Sequence, residues 1–548
     1  MSYLPPNRVT CVPGYATDTT CLILVATLSD PTANAVTLTI NGVDTYVSGA
    51  ALTLTAFGTD GAEAQVCWTG VVEVSGLTSF TRNNWSVDQP LTGSDSGSFM
   101  TIPVNGEEWA FEFFSCDNNT NLSNKVNKQP QTVHGRWTET KEYIEKGELP
   151  LLGALFVDDL GYVDAKTGIA DNFDGTATGL EGLGTLTEHD YAIAWCCMLG
   201  MLGPTRTVYT ATELSTDNEL LGVLWGRDED RSYCRKNLNI WPQWGDHEFS
   251  GNDLGWDDLV TTVPNARYLS TGPLVDGVGK TAWDAFLGGL QPPFTGTDTV
   301  ANHWVMTIGD VTIAAIDGIS RSDMQSGGTG TTLLGTDQIE DILTAVDTAA
   351  SAFTLFGMPN GIKYLSITPS ESGSLTQHPI FNSSLADYQR LFTTRNLSPA
   401  SIMDNVKTNG IAGGFATLHG DLHFGNVQRQ HGIAYSTNAA EEFTTIHLGT
   451  TNGSQNFDNS TGLNVGDTFS DTPSFTDVLQ LQATESGSTN WEGLRIESRR
   501  VSGSRQLHFK KYNTIGQLVW DGNLVQYGTN RLKEIGFVPN AVSPANDF

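Results

Sequence analysis

The sequence predicts a layered α/β core that follows an N-terminal β-sandwich and precedes a β-rich C-terminal region. Three observations support this fold class. Residues 1–105 consist of short strand-like segments, residues 106–445 alternate apolar runs with helix-like stretches, and residues 446–548 return to strand-like segments with tight turns. A chain of 548 residues is long enough for several domain-sized units, so these three regions are the expected domains.

The first region carries the alternation of a sheet with one buried face. The segment AVTLTINGVDTYV alternates apolar and polar side chains, and Asn41-Gly42 within it is a turn signal. The segment EAQVCWTGVVEVSGL follows at strand spacing, and little in this region is typical of a helix. We therefore expect a β-sandwich of the fibronectin or immunoglobulin kind.

The middle region contains apolar runs that end in polar residues, as buried strands of an α/β domain do. These runs lie in EWAFEFFSC, GALFVDD, VTIAAIDG, AFTLFGMPNG and GGFATLHGDLH. Between them, TDQIEDILTAVDTAASA places Ile339, Ile342, Leu343 and Val346 on one helical face, with Thr336 as a cap. Strands that alternate with helices form a parallel or mixed sheet, and functional loops collect at the strand ends.

The last region begins with a polar stretch, TNGSQNFDNSTGLNVGDTFSDTPSF, which predicts a long loop. Four strand-like segments with tight turns follow it, namely VLQLQATESG, EGLRIESRRVSG, SRQLHFKKYN and GQLVWDGN. We expect a small β-rich region here.

The chain is strongly acidic, because 61 Asp and Glu side chains against 29 Lys and Arg give a formal charge of −32. Such a surface repels nucleic acids and anionic membranes and suits divalent cations, so we expect no binding of nucleic acid as a polyanion. The opening segment MSYLPPNRVTCVPGYATDTTCLILVATLSD has no basic stretch before a long apolar one. It therefore predicts neither a Sec signal peptide nor a membrane span.

The seven cysteines leave at least one thiol unpaired. Cys11, Cys21 and Cys67 could supply one disulfide in an oxidising compartment, whereas the neighbours Cys196 and Cys197 are not expected to bridge each other. The cysteine pattern leaves the compartment open.

Four segments at predicted strand ends carry side chains that bind metals. FFSCDNN contains Cys116 and Asp117, FVDDLGYVD contains Asp158, Asp159 and Tyr162, WGDHEFSGND contains Asp246, His247, Glu248 and Asn252, and LHGDLHFGN contains His419, Asp421 and His423. Each segment alone has a structural explanation: a core cysteine, a helix-capping aspartate, a packing tyrosine, or a capped helix start after Asp246. Together they form the ligand set of a two-metal hydrolytic centre.

These segments resemble the PhoD-like alkaline phosphatases and phosphodiesterases of the metallophosphoesterase superfamily, from about residue 25 to 450. The motifs that carry the resemblance are VSGLTSFT, GSFMTIP, Ser115-Cys116, DDLGY, WGDHEFSGN, AIDGISR, LGTDQ, ADYQRLF, ATLHGDLH and Glu442-Phe443-Thr444. Gly245, Asp158 and His419 depart from the family pattern, where Asp, Gly and Ser are usual.

The resemblance implies a four-layer α/β/β/α core with metal ligands at Cys116, Asp159, Tyr162, Asn252, Asp421 and His423. Cys116 and Tyr162 would bind Fe³⁺, Asp159 would bridge the metals, and the remaining ligands would complete the site with Ca²⁺ or another divalent metal. Asp246, His247 and Glu248 would shape the pocket around Asn252.

Two functions are compatible with the sequence. The first is a phosphomonoesterase or phosphodiesterase with His247, His423 and Asp246 as catalytic candidates, acting on a phosphate ester such as a cell-surface phosphodiester. The second is a structural or adhesion protein of a virion or cell surface that retains this fold, which the acidic Gly-, Thr- and Asn-rich composition and β-rich ends favour. Both predict an extracellular or virion-associated location and permit membership of a larger assembly.

Overall fold

The fold was analysed in a computed structural model of the chain. It describes residues 3–58, 66–90, 92–104, 106–115, 117, 135–157, 160, 188–210, 212–213, 224–245, 248, 278–298, 301–318, 320, 334–349, 351–358, 414–420, 426–432, 442–448, 468–471, 474–481, 493–512, 518–527 and 531–538.

The N-terminal part consists of two antiparallel sheets in the orders β1-β2-β6-β5 and β4-β3-β7-β8. The strands are β1 (Val9–Ala16), β2 (Thr20–Thr27), β3 (Thr37–Ile40), β4 (Asp44–Val47), β5 (Thr55–Phe57), β6 (Cys67–Ser75), β7 (Arg82–Gln89) and β8 (Gly93–Met100). Apolar residues of both sheets, among them Ile23, Leu38 and Trp85, share one buried core. This packing is that of a β-sandwich.

The predicted turn at Asn41-Gly42 is confirmed. Both residues have positive φ, 51° and 72°, between the paired strands β3 and β4. Asn and Gly adopt this left-handed conformation at low cost, which is why the pair marks hairpin turns.

A first core sheet joins strands from the middle and the end of the chain in the order β11-β10-β9-β20-β21-β22-β23. Its strands are β9 (Trp109–Phe114), β10 (Leu151–Val157), β11 (Asn239–Gln243), β20 (Gly493–Val501), β21 (Ser504–Tyr512), β22 (Leu518–Tyr527) and β23 (Arg531–Val538). β9, β10 and β11 are parallel, and β20 pairs antiparallel to β9. The predicted C-terminal strands therefore extend the sheet of the middle region, while the domain boundaries themselves stay predictions.

A second core sheet has the order β12-β13-β14-β15-β17-β16-β19-β18. Its strands are β12 (Trp304–Ile308), β13 (Val311–Ala315), β14 (Phe353–Met358), β15 (Gly414–His419), β16 (Asn426–Gly432), β17 (Glu442–His447), β18 (Thr468–Asp471) and β19 (Ser474–Leu481). β13, β14, β15 and β17 run parallel, and the outer strands are antiparallel. Both core sheets are therefore mixed, as the sequence predicts.

The helices are α1 (Gly135–Lys146), α2 (Glu188–Met198), α3 (Glu229–Asn237), α4 (Val278–Phe286) and α5 (Thr336–Ala349), with a short 3₁₀ turn at Gly288–Leu290. Side chains of α1, α2, α3 and α4 form one apolar cluster with Phe114, Phe156 and Ile240 of the first core sheet. α5 contacts β12 and β13 of the second sheet. Its predicted apolar face is confirmed, since Ile339, Ile342, Leu343 and Val346 are all buried.

The two core sheets pack face to face through a continuous apolar cluster that includes Phe111, Phe113, Leu155, Ile313 and Leu355. The closest approach lies near the carboxyl ends of β10 and β14. A Cβ atom added to Gly357 would lie 2.8 Å from Cγ2 of Val157 and 3.4 Å from Cδ2 of Leu155. Glycine at position 357 is therefore what lets the ends of these two strands meet.

A buried ionic cluster ties the C-terminal strands to β9. Glu112 of β9 is fully buried and accepts hydrogen bonds from Nε and Nη2 of Arg495 at 2.9 and 2.7 Å, and another from Arg136. Glu139 of α1 binds both arginines in turn. The Arg495 guanidinium also lies 3.5 Å from the centre of the Tyr143 ring. Each buried charge is thus matched, which offsets its desolvation cost.

We expect the Gly357→Ala variant to lower the free energy of unfolding by about 1–3 kcal/mol, because the added methyl group overlaps Val157. Urea unfolding measures the change. The Val157→Ala variant supplies the matched test, because removing the valine methyl groups makes room for the new one. The double variant should then be less destabilised than the sum of the single variants, and strict additivity would contradict this packing.

Candidate metal centre

The parallel strands of both core sheets end at a shared edge. Trp304 of β12 is the strand partner of Ala315 at the end of β13. Its indole Nε1 donates a hydrogen bond to the carbonyl of Pro242, near the end of β11, at 3.2 Å. Within the second sheet, Ile316 N donates to the Gly357 carbonyl at 2.8 Å, and Gly420 N to the Met358 carbonyl at 3.4 Å. The carboxyl ends of β11, β13, β14 and β15 therefore lie together, as the prediction of a strand-end site requires.

The predicted ligands and catalytic residues themselves lie outside the described residues. They are Cys116, Asp159, Tyr162, Asn252, Asp421, His423, Asp246 and His247. Within the described part of the chain, no three His, Cys, Asp or Glu side chains cluster as metal ligands. The ligand set thus stays a prediction.

Described neighbours of these residues lie at or just beyond the ends of strands that reach the shared edge. Ser115 and Asp117 flank position 116, and Gly420 directly precedes position 421. Val157 ends β10 two residues before position 159, and Gly245 follows β11 directly before position 246. The strands that the sequence predicts to carry ligands therefore reach a common place.

Asp117 anchors the segment that follows β9. It is fully buried, and its Oδ2 accepts a hydrogen bond from Arg231 Nε at 2.9 Å. Arg231 lies on α3, which Asp228 caps by accepting from Arg231 N at 2.9 Å. The Asp117–Arg231 ion pair thus fixes the chain one residue beyond position 116.

The tryptophans beside the Asp-His-Glu segment are core residues. Trp241 packs in the cluster between the two core sheets, and Trp244 packs in the cluster under the helices, 5.9 Å from the ring of Trp283. Glu248 is buried, and its Oε2 accepts from Gly245 N at 2.6 Å. This bond joins the two described residues on either side of positions 246 and 247, and the role of Glu248 in shaping the pocket stays a prediction.

A second hydrogen-bond network fixes the segment after β13. Gln338 of α5 accepts from Asp317 N at 2.8 Å and donates to the carbonyls of Asp317 and Leu334 at 2.9 and 2.8 Å. The Asp317 carboxylate accepts from Ser320 N and from Asn302 N at 3.0 and 2.6 Å. Hydrogen bonds between Asp317 and Gln338 therefore join the AIDGISR motif directly to the LGTDQ motif.

His303 is a buried histidine beside this network. Its Nε2 lies 3.5 Å from Oδ2 of Asp341. Burial lowers the pKa of His303 below its ordinary value of 6.5, although the carboxylates of Asp317, Asp341 and Asp298 act in the opposite direction. The neutral imidazole is therefore the favoured state in the folded protein at neutral pH.

Sequence reasoning missed the buried arginines of α3. Arg231 and Arg235 are four residues apart and lie on one helical face, and both are buried. Basic residues on a helix are usually exposed, so the pattern alone gave no reason to place them inside. The described cysteines are likewise all buried, and no disulfide joins Cys11, Cys21 and Cys67.

The core of this chain consists of two face-to-face mixed sheets whose parallel strands end at one edge, and solved structures share its fold. The structure of PhoD matches with a TM-score of 0.58 at 11% sequence identity, covering 98% of this chain and 93% of that chain. Purple acid phosphatase PPD1 from yellow lupin (Lupinus luteus) seeds matches with a TM-score of 0.52 at 11% identity, covering 94% of this chain and 74% of that one. The predicted resemblance to PhoD is confirmed at the level of the fold.

The sequence itself matches no family model and no curated protein. The structural matches establish a shared fold, but a fold shared at 11% identity does not establish a shared activity. The activity of this chain therefore has to be argued from its own residues. Among the described helices, none is long and apolar enough to cross a membrane.

We expect the Gln338→Leu variant to lower the free energy of unfolding by about 2–4 kcal/mol, because it leaves the buried N–H of Asp317 and two carbonyls without their partner. Glu340→Leu on the same helix is the matched control, because Glu340 is exposed and should tolerate the change. Urea unfolding of both variants provides the comparison. Equal stability of the two variants would show that the Gln338 contacts are unimportant.

We expect the stability of the protein to fall as the pH is lowered below about 6.5, in part because of His303. Its pKa is lowered in the folded state, so the unfolded chain binds the proton first and acidification favours unfolding. In the His303→Gln variant, the slope of unfolding free energy against pH should be shallower by up to about 1.4 kcal/mol per pH unit. Urea unfolding between pH 5 and 7.5 tests this, and an unchanged slope would exclude His303 as a contributor.

Proposed function

We propose that this chain is a metal-dependent phosphoric ester hydrolase that acts on phosphomonoesters or phosphodiesters at the shared strand edge. One observation carries the proposal. Several strands of the two core sheets end side by side, and separate segments with predicted ligands follow these strands in the sequence. The likeness of the fold to PhoD and to a purple acid phosphatase supports it.

The donor set of the four segments fits the proposed metals. The thiolate of Cys116 and the phenolate of Tyr162 suit Fe³⁺, and the oxygen and imidazole donors of Asn252, Asp421 and His423 suit Ca²⁺ or another divalent metal. Asp159 would bridge the two ions. When bound, such metals polarise the phosphoryl oxygens and stabilise the charge that develops during in-line displacement.

The contacts of the described residues show how the protein would hold this site. Asp117 is fixed by Arg231, and Gly245 is fixed by Glu248, so the segments that contain positions 116 and 246 each have a buried anchor. Such anchors hold reacting groups in place and reduce the cost of organising them for catalysis.

Proton transfer is assigned to the histidines of the ligand-bearing segments. His247 and His423 are the candidates for moving a proton to or from the ester oxygen, and Asp246 would orient one of them by accepting its second ring N–H. For the segment from Trp244 to Asn252, the resemblance itself implies that Asn252 is a ligand and that Asp246, His247 and Glu248 shape the pocket around it.

The acidic charge of the chain favours small esters over polyanions. A formal charge of −32 repels an extended nucleic acid, whereas a single phosphate group would be held by the metals directly. We propose a cell-surface phosphodiester as the substrate class and an extracellular or virion-associated site of action. A scaffold or adhesion protein of a virion that retains this fold is the alternative, and the next experiment separates the two.

We expect purified protein to contain about one iron per chain and to show the broad visible band of a ferric phenolate. The Cys116→Ala variant should lose the iron and the band and lower ester turnover by about 100-fold or more. The Cys11→Ala variant is the matched control, because Cys11 is buried in the N-terminal sandwich, and it should retain all three properties. Elemental analysis, absorption spectra and a panel of phosphate esters provide the measurements.

The opposite result would favour the scaffold. If the protein stays metal-free and colourless after incubation with iron and calcium, and hydrolyses no ester, the proposed activity is wrong and the fold serves binding alone.

A further inference from the structure

A small, partly open cavity lies between the helices and the outer face of the first core sheet. It has a volume of about 40 Å³ and is lined mainly by apolar and aromatic side chains, including Trp137, Trp195, Trp225 and Phe156, together with Arg231 and Arg235. One water needs only about 10–15 Å³, so the cavity can hold a monatomic ion with a water beside it. Two cationic side chains in an apolar wall are unusual and need an explanation.

The charges around this cavity do not balance within the described part of the chain. Arg231 is paired with Asp117 at 2.9 Å, so these two charges cancel. Arg235 is only 8% exposed, and its Nη1 donates to the Met198 carbonyl at 3.0 Å without any carboxylate contact among the described residues. One positive charge is therefore left over.

Other charged groups near Arg235 are already engaged. The charge of Asp95 raises the pKa of Arg235 without direct contact. Both carboxylate oxygens of Asp95 are already engaged, because Oδ1 accepts from Lys236 Nζ at 2.6 Å and Oδ2 accepts from the Thr10 hydroxyl at 2.7 Å. Burial and the neighbouring Arg231 lower the pKa of Arg235 to about 9, which still leaves the guanidinium charged at neutral pH. An uncompensated buried charge of this kind strongly destabilises a folded protein.

Residues that line the cavity also carry hydrogen-bond donors for which the described part of the chain supplies no acceptor. Nε1 of Trp137, Nε1 of Trp225 and Nε of Arg235 are buried and find no acceptor among the described residues. An indole N–H only donates, and so does a guanidinium. Hydrogen-bond donors and positive charge are therefore both in excess here. An occupant that accepts hydrogen bonds and carries negative charge would match both.

We propose that this cavity binds one small monovalent anion of the size and charge of chloride. A water molecule would accept hydrogen bonds but leave the charge of Arg235 unmatched, whereas a divalent anion such as sulfate would bring one negative charge more than Arg235 can match. The site is separate from the proposed metal centre, although Asp117, which pairs with Arg231, follows position 116 directly. Its occupancy does not depend on whether the chain is an enzyme.

Thermal unfolding in sodium chloride, sodium bromide and sodium gluconate at equal ionic strength tests the proposal. Chloride and bromide should raise the midpoint by about 2 °C over gluconate, and the rise should saturate with concentration. The Arg235→Met variant should lose the difference. The Arg206→Met variant should keep it, because Arg206 is an exposed cation paired with Glu213.

Bromide-soaked crystals of the unaltered protein give a second test that does not depend on a variant folding. An anomalous difference peak inside the cavity, between Arg235 and the indoles of Trp137 and Trp225, would support the proposal. A cavity that holds only water, with bromide confined to the surface and equal midpoints in halide and gluconate, would overturn it. A midpoint that rises without saturation would likewise show a general salt effect and overturn the proposal.

Discussion

The face-to-face packing of the two core sheets is the constraint on which the rest of this protein depends. Because Gly357 lacks a side chain, β14 comes within contact distance of Val157 at the end of β10, and the parallel strands of both sheets end at one edge. Every predicted ligand segment follows one of the strands that reach this edge, directly or after a few residues. A shift of one sheet against the other would separate these strand ends, so the geometry of the candidate site and the packing of the core depend on the same contacts.

The buried charges on the first core sheet and its helices fall into two groups, those paired with opposite charges of the chain and one without a described carboxylate in contact. Glu112 is surrounded by Arg136 and Arg495, so the C-terminal strands are bonded to the middle of the sheet by matched charges. On the helical side of the same sheet, Arg231 has Asp117 as its partner, but Arg235 has no described carboxylate in contact. The first arrangement holds the sheet together with the chain's own residues. The second is compatible with a partner that comes from solution.

The anchors of the candidate site are buried and lie next to the residues that would do chemistry. Glu248, Asp117 and Gln338 each bind a main-chain or charged group within a few residues of a predicted site residue or family motif. Burial shields these hydrogen bonds from water and makes their loss costly. The loops at the strand edge thus have rigid starting points, which is what a phosphoesterase with ligands from several loops requires.

Local patterns in the sequence determined many of the strands, the face of α5 and the turn at Asn41-Gly42, whereas β18 (Thr468–Asp471) lies in the segment predicted as a long loop. These features follow from periodicity and turn preference, which involve residues close together in the chain. The structural match to PhoD confirms the predicted resemblance at the level of the fold, while the predicted four-layer domain architecture stays a prediction.

Tertiary structure alone decided which distant residues meet. Glu112 and Arg495 are separated by 383 positions, and nothing local in either segment indicates that they pair. The same is true of Arg231 with Asp117, of Gln338 with Asp317, and of the tryptophans that line one cavity together with Arg235. A charged residue in a helix is compatible with either water or a buried partner, and only the packing of other elements around it selects between them. The sequence by itself therefore determined the chemistry available at the strand ends, and the fold decided which charges are paired and where one is left over.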